Sequence, residues 1–207
     1  MAEQILTGGR PLLEAQAAMI LIHGRGASAY DIMELGTLLG GEQFALLAPQ
    51  AANNTWYPYS FLAPLDSNEP YLSSALQTVA DLVEQVEETG ILAANIILAG
   101  FSQGACLVSE FAARNVRRYG GLLIFSGGLI GPPGTPRDYP GSFDGTPVFI
   151  GCSDVDPHIP LARVHETTEV FTALGAQVNE KIYPGMAHTI IQDEIDQAEK
   201  IIDAGGS

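Results

Sequence analysis

Positive charge is scarce in this chain of 207 residues. Nine lysines and arginines stand against 24 aspartates and glutamates, which gives a net charge of −15. A surface of this sign repels phosphate backbones and anionic lipid headgroups. The composition therefore argues against a nucleic-acid partner and against an anionic membrane, although it does not identify a substrate.

Long apolar runs and cysteines are also scarce. No apolar run approaches the roughly 20 residues that cross a bilayer, so stable membrane insertion is not expected. The N-terminus lacks a basic start followed by an apolar stretch, so no signal peptide is expected. The only two cysteines, Cys106 and Cys152, lie in apolar surroundings far apart in sequence. This pattern favours buried, reduced thiols and a cytoplasmic protein.

Short apolar runs alternate with helical patterns along the whole chain. Hydrophobic residues make up 46% and charged residues 16%, so the chain can bury a sizeable core and is predicted to form one domain over residues 1–207. The predicted strands cover residues 17–22, 44–48, 95–100, 122–125, 148–152 and 178–183. The predicted helices cover residues 30–39, 72–88, 103–114, 161–174 and 189–204. This alternation predicts an α/β fold whose mainly parallel sheet has helices on both faces.

The most informative stretch is Gly100-Phe101-Ser102-Gln103-Gly104, which directly follows a buried strand and opens a helix. A Gly-x-Ser-x-Gly motif in this context is typical of a sharp strand-to-helix turn that presents one serine at its apex. Cβ atoms at Gly100 and Gly104 would clash in so tight a bend. The sequence therefore predicts that Ser102 is a nucleophile.

Three other strand ends carry reactive or permissive residues. They are His23-Gly24-Arg25-Gly26, the turn with Asp154 and Asp156, and His188. The carboxyl ends of parallel strands share one edge of a sheet, so these groups and Ser102 are expected to meet there. A serine needs a base to take its proton, and a carboxylate then orients the histidine.

His188 is the preferred base because it follows the last strand, on a turn that can reach Ser102. The other histidines, His23, His158 and His165, are interpreted as structural or solvated. Asp156 is preferred as the acid because the proline after it restricts its backbone to an extended conformation, but Asp154 stays an alternative. Asp154, Asp156, His158 and His165 could also be read as a metal cluster. Their spacing matches no strong metal signature, and no metal is expected.

A long aromatic segment follows the second predicted strand, from Gln50 to Pro70. Irregular segments of this length are uncommon in compact domains and often form binding walls or lids. We expect its large side chains to bind substrate, and the candidates are Trp56, Tyr57, Phe61 and Leu65. Alternatively these aromatics simply cover the core. A homodimer formed through this segment is a further option that the sequence leaves open.

Four motifs together resemble the phospholipase/carboxylesterase family of α/β-hydrolases, which includes the acyl-protein thioesterases. They are Leu21-Ile22-His23-Gly24-Arg25-Gly26, Gly100-Phe101-Ser102-Gln103-Gly104, Asp156-Pro157-His158-Ile159-Pro160 and Gly185-Met186-Ala187-His188. The four motifs follow one another in this order over nearly the whole length of the chain. The resemblance implies an α/β-hydrolase fold with a minimal lid. It also implies a triad of Ser102, Asp156 and His188, with an oxyanion hole made by the backbone N–H groups of Arg25 and Gln103.

The leading functional hypothesis is a serine hydrolase that cleaves carboxylic esters with small to medium acyl chains through an acyl-enzyme, without a cofactor. A long-chain acyl thioesterase or lysophospholipase is the alternative, and it would need an open apolar groove. A lactone hydrolase is less favoured because such relatives often use a cysteine nucleophile. A non-catalytic binding module with a hydrolase fold is the alternative from another class.

Overall fold

The computed structural model describes residues 2–41 and 43–205. Its regular elements are seven strands and five α-helices, joined by loops and short 3₁₀ turns. The strands are β1 (Ala2–Gly9), β2 (Ala18–Ile22), β3 (Ala45–Ala51), β4 (Ile96–Phe101), β5 (Gly121–Phe125), β6 (Pro147–Ser153) and β7 (Gln177–Tyr183). The helices are α1 (Ala29–Leu38), α2 (Tyr71–Glu88), α3 (Gln103–Arg114), α4 (Leu161–Ala173) and α5 (Gln192–Gly205).

All seven strands form one sheet in the order β1-β3-β2-β4-β5-β6-β7. Only β1 runs antiparallel to its neighbour, β3, and every other pair is parallel. The prediction of a mainly parallel sheet is therefore confirmed. Because β2, β4, β6 and β7 are parallel, their carboxyl ends lie at the same edge of the sheet.

Helices cover both faces of the sheet, as the sequence predicted. Alternate residues of β2 contribute to two separate apolar cores, with Ile20 in one and Leu21 in the other. The first core also contains the apolar faces of α2, α3 and α4. The second contains those of α1 and α5. Burial on both sides explains why the central strands are uninterrupted apolar runs rather than alternating ones.

The structure departs from the sequence expectation at three elements. The edge strand β1 was not predicted, because its eight residues, AEQILTGG, form neither an apolar run nor a clean alternation. The strand β3 continues through Pro49, which is tolerated because the ladder to β2 ends at Leu47. Helix α5 begins at Gln192, three residues after the predicted start, so Thr189 belongs to the preceding turn.

None of the helices within the described residues is long and apolar enough to span a membrane.

Candidate active site

Ser102 stands at the junction of β4 and α3 in an uncommon backbone conformation. Its φ of 54° and ψ of −118° lie outside the regions that non-glycine residues prefer. The hydrogen bond from its N–H to the Phe125 carbonyl and the bond from the Cys106 N–H to its own carbonyl hold it there. Such strain persists where the surrounding structure imposes it, which is typical of functional turns.

The two glycines of the motif let α3 begin directly against the sheet. A Cβ on Gly100 would come within 2.5 Å of the Gly104 carbonyl group. A Cβ on Gly104 would overlap the carbonyl of Ile22, at the end of the neighbouring strand β2. Neither glycine has a positive φ. Close packing, rather than backbone freedom, therefore requires glycine at both positions.

The structure brings Ser102, His188 and Asp156 into one hydrogen-bonded row. The Ser102 Oγ lies 2.8 Å from His188 Nε2. On the other side of the ring, His188 Nδ1 lies 2.7 Å from Asp156 Oδ2. The row joins the ends of β4, β6 and β7. In this arrangement the imidazole can take the serine proton while the carboxylate stabilises the charge that results.

Asp156 is held as a carboxylate by several donors. Its side chain is completely buried, which disfavours its charge. The His188 ring, together with the backbone N–H groups of His158 and Ile159 at 2.8 and 3.0 Å, outweighs that burial and lowers the Asp156 pKa. Asp154, by contrast, accepts a hydrogen bond from the Gly185 N–H at 2.8 Å. It thereby ties the turn after β6 to the turn that carries His188.

Two of the other three histidines, His23 and His165, point away from Ser102. His23 is fully buried; its Nδ1 faces the Gly24 carbonyl at 2.8 Å and its Nε2 accepts from the Ala51 N–H at 3.1 Å. This pair of contacts requires the neutral tautomer with a proton on Nδ1, and burial lowers the His23 pKa. His165 pairs with Glu180 on the surface.

The residues considered as a metal cluster do not converge. Asp154 bonds the Gly185 N–H, Asp156 bonds His188, and His165 bonds Glu180. Across residues 2–41 and 43–205, no three His, Cys, Asp or Glu side chains are arranged to hold a metal ion.

Arg25 and Gln103, the predicted oxyanion-hole residues, both reach the aromatic segment with their side chains. The Arg25 guanidinium donates to the carbonyls of three consecutive residues, Tyr57, Pro58 and Tyr59, at 2.7 to 2.9 Å. The Gln103 amide donates to the Tyr57 carbonyl at 2.8 Å and accepts from the Trp56 N–H at 3.0 Å. The Gln103 N–H is the first of α3, a position that has no acceptor within its own helix.

A cavity of about 440 Å³ opens over Ser102. Of the four predicted substrate-binding residues, Tyr57 and Phe61 line it, whereas Trp56 and Leu65 do not. The Trp56 indole is turned away because its N–H donates to the His23 carbonyl at 2.9 Å and its ring packs against His23. Leu65 is partly buried and packs against the first apolar core. The structure thus places two of the four candidates beside Ser102 and the other two away from the cavity.

Several lining residues were not anticipated from the sequence. They are Gly24, Ala27, Pro58, Tyr59, Ser60, Phe101, Cys106, His158 and Ile159. The ring of His188 packs against two of them, since the ring centroids of Phe101 and His158 each lie 4.9 Å from its own. Their positions in the sequence could have identified both as neighbours of the site, since Phe101 precedes Ser102 and His158 follows Asp156 by two residues.

Both cysteines are free and buried, as expected. Burial raises the pKa of each thiol to about 12, so neither is a thiolate at neutral pH. Cys106 lines the cavity one helical turn beyond Ser102. Ser102, rather than either cysteine, forms the hydrogen bond with His188.

Comparison with known proteins places this geometry in a family. A sequence model described as phospholipase/carboxylesterase matches residues 9–205. Acyl-protein thioesterase 1 of Gibberella zeae is 31% identical over 125 residues, which are 59% of this chain and 53% of that protein. Acyl-protein thioesterase 1 of Debaryomyces hansenii is 26% identical over an alignment of 220 positions, gaps included, which covers 91% of each chain. The chain thus matches about half the length of the first relative and most of the second.

A solved structure shares both fold and sequence. The crystal structure of phospholipase/carboxylesterase from Dyadobacter fermentans is 47% identical, with a TM-score of 0.93 over 96% of this chain and 95% of that one. The fold, the family match over residues 9–205 and this relative agree with the motifs that carry Ser102, Asp156 and His188. The chain belongs to the phospholipase/carboxylesterase family of α/β-hydrolases.

Proposed function

We propose that this protein is a serine hydrolase that cleaves carboxylic esters with small to medium acyl chains through an acyl-enzyme. The observation that carries the proposal is the hydrogen-bonded row of Ser102, His188 and Asp156 at the mouth of a cavity. Membership of the phospholipase/carboxylesterase family supports it independently.

In the first half of the reaction, His188 Nε2 takes the Ser102 proton while Ser102 Oγ attacks the ester carbonyl. Asp156 holds the ring through Nδ1 and stabilises the imidazolium, so the proton stays on the histidine. The imidazolium then protonates the leaving alcohol or thiol, and the carbon–oxygen or carbon–sulfur bond breaks. In the second half, water attacks the acyl carbon while His188 takes a proton from it. The bond between Ser102 Oγ and the acyl carbon then breaks, His188 returns the proton to Ser102, and the acid is released.

The negative oxygen of each tetrahedral intermediate is proposed to lie between the backbone N–H groups of Arg25 and Gln103. Gln103 is the residue after the nucleophile, whose N–H points into the site in this type of turn. The N-terminus of α3 adds a favourable dipole at the same place. Each such donor is worth roughly 3–4 kcal/mol in the transition state. No metal or organic cofactor takes part in these steps.

The cavity favours acyl groups of limited length. Its volume lies in the lower part of the roughly 300–1,000 Å³ range of small-molecule sites. Four of the residues that line it, Tyr57, Phe61, Cys106 and Ile159, are at most 7% exposed, so this part of the lining is fixed by the surrounding core. The alternative substrate, a long-chain thioester or lysophospholipid, is kept because the curated relatives are named acyl-protein thioesterases.

The test is hydrolysis of a p-nitrophenyl ester series from acetate to palmitate by the wild type and by Ser102→Ala. We expect the wild-type kcat/KM to peak at short to medium chains and the variant to lose turnover while its circular dichroism spectrum stays unchanged. A peak at palmitate would support the long-chain alternative. An unchanged rate in Ser102→Ala would refute the proposal.

A non-catalytic module would neither hydrolyse any ester of the series nor react with a serine-directed phosphonate. Labelling of wild-type Ser102, detected as a mass increase that Ser102→Ala lacks, would exclude that alternative. The cytoplasmic location and the homodimer considered from the sequence stay predictions.

A further inference from the structure

The cavity over Ser102 differs in charge from the rest of the molecule. The chain carries 24 aspartates and glutamates, but none of the described ones lines this cavity. Its lining instead includes Arg25 and two imidazoles, those of His158 and His188. In a protein of net charge −15, the substrate therefore meets one permanent positive charge and no carboxylate.

Arg25 forms no ion pair with a carboxylate of the described residues. Its side chain is exposed and donates three hydrogen bonds, all to backbone carbonyls of the aromatic segment. A guanidinium has five N–H donors, so two remain for a ligand, one on Nε and one on Nη1.

Three carboxylates that are close in sequence to residues lining the cavity are engaged elsewhere. Asp156 is completely buried behind His188. Asp154 accepts from the Gly185 N–H. Asp31 caps α1 by bonding the hydroxyl and the N–H of Ser28. None of them competes with a ligand for Arg25.

We propose that the site selects anionic esters, in which a carboxylate lies within a few bonds of the scissile carbonyl and pairs with Arg25. This inference rests on the proposed function and names its substrate class. His158, which is exposed and packs against His188, lines the same cavity and offers a further N–H donor.

Local attraction can overcome the repulsion of the whole molecule because the two act over different distances. The field of scattered surface carboxylates is screened beyond a Debye length of about 8 Å at physiological salt. A charge-assisted hydrogen bond to Arg25 acts at contact and inside a partly enclosed cavity, where screening is weaker. The selectivity should therefore be strongest at low salt and weaken as salt is added.

Two matched ester pairs test the proposal. In the first, the charge lies on the acyl group: mono-4-nitrophenyl glutarate against 4-nitrophenyl pentanoate. In the second, it lies on the leaving group: 4-carboxyphenyl pentanoate against phenyl pentanoate. The rate with Ser102→Ala is subtracted, because the glutarate ester also hydrolyses on its own. We expect wild-type kcat/KM to favour the anionic member of one pair by about tenfold at 20 mM salt, and that pair identifies the side that carries the charge.

Three arginine variants separate charge from structure. Arg25→Gln should abolish the preference, whereas Arg25→Lys keeps the charge and should retain part of it even if loss of the loop contacts slows every substrate. Arg118→Gln removes the same charge outside the cavity, where Arg118 contacts the Asp144 carbonyl, and should leave the preference intact. The ratio between the members of a pair cancels losses that are common to both.

The inference is overturned if neither pair shows an anionic preference, if Arg25→Gln keeps the preference, or if Arg118→Gln removes it equally. These outcomes are distinct from failure of the proposed function. If 4-nitrophenyl pentanoate is hydrolysed in a Ser102-dependent manner without any charge preference, the esterase stands and only the substrate class is wrong.

Discussion

Two aspartates in the turn after β6 have different roles although only Val155 separates them. Asp156 contacts the His188 ring, and Asp154 contacts the backbone of the turn before His188. The sequence preferred Asp156 because the following proline restricts its backbone. It could not exclude Asp154, because the direction of each side chain depends on β7 and on the turn that follows it.

Matched substitutions distinguish the two aspartates. Asp156→Asn should lower kcat by roughly 10³-fold or more, because an amide can hold His188 in the wrong tautomer and cannot stabilise the imidazolium. Asp154→Asn should change kcat less than tenfold, since an amide oxygen still accepts from the Gly185 N–H. Steady-state kinetics with one p-nitrophenyl ester measure both. A larger loss in Asp154→Asn would reverse the proposed roles.

At the level of single elements, the start of α3 shows which features a sequence can predict. The strand-to-helix turn at Ser102 is located by three features of the sequence, which are the motif, the apolar run before it and the helical pattern after it. The limits of α5 and the existence of β1 were harder, because β1 is a polar edge strand and the start of α5 depends on tertiary contacts. The direction of the aromatic side chains could not be predicted either, since Arg25, Gln103 and His23 set it from distant parts of the chain.

Glycine substitutions test whether close packing or backbone freedom governs this element. Gly104→Ala should lower the free energy of unfolding by roughly 2–3 kcal/mol or more, because its Cβ would overlap the Ile22 carbonyl in a rigid strand. Gly134→Ala has open space but a φ of +83°, so it should cost only about 1 kcal/mol. Urea titrations give both values. Equal losses would contradict the packing explanation.

The first turn of α5 contains a buried carboxyl group. Glu194 is completely buried; one oxygen accepts from the Ile191 N–H, and the other has no partner among the described residues. Burial raises its pKa to about 7, helped by the nearby Asp193 and opposed by the Ile191 hydrogen bond. The folded protein therefore holds this proton more tightly than the unfolded chain, and stability falls as the pH rises from about 4.5 to about 7.

The substitution Glu194→Gln should remove this loss of stability at higher pH. We expect the variant to be more stable than the wild type by about 1–3 kcal/mol at pH 8, where the wild-type carboxyl is ionised. At pH 5 the folded wild-type group is still protonated, although the unfolded one is largely ionised, so the difference should shrink to less than about 1 kcal/mol. Denaturant midpoints at both pH values measure the effect. A difference of the same size at pH 5 would show that packing, not ionisation, is responsible.

At the level of the whole molecule, the excess of 15 negative charges opposes folding through mutual repulsion. Raising sodium chloride from 10 mM to 0.5 M shortens the screening distance and should raise Tm by about 2–4 °C, which corresponds to about 1 kcal/mol in a chain of this size. Differential scanning calorimetry measures this shift, and glycerol at matched viscosity is the control. A fall in Tm would mean that surface ion pairs outweigh the repulsion.

Arg25 and Gln103 connect the proposed oxyanion hole to the wall of the cavity. Their backbones are proposed to hold the reacting oxygen, while their side chains grip the strip of chain from Trp56 to Tyr59 that walls the cavity. A substrate too bulky for that wall would push residues 56–59 outward. Because the Arg25 and Gln103 side chains are bonded to these residues, both backbone N–H groups would move away from the reacting oxygen together. A poor fit far from the reacting carbon would then slow the chemical step rather than weaken substrate binding. The enzyme would therefore discriminate among substrates through the rate of turnover more than through the fraction of enzyme that holds substrate.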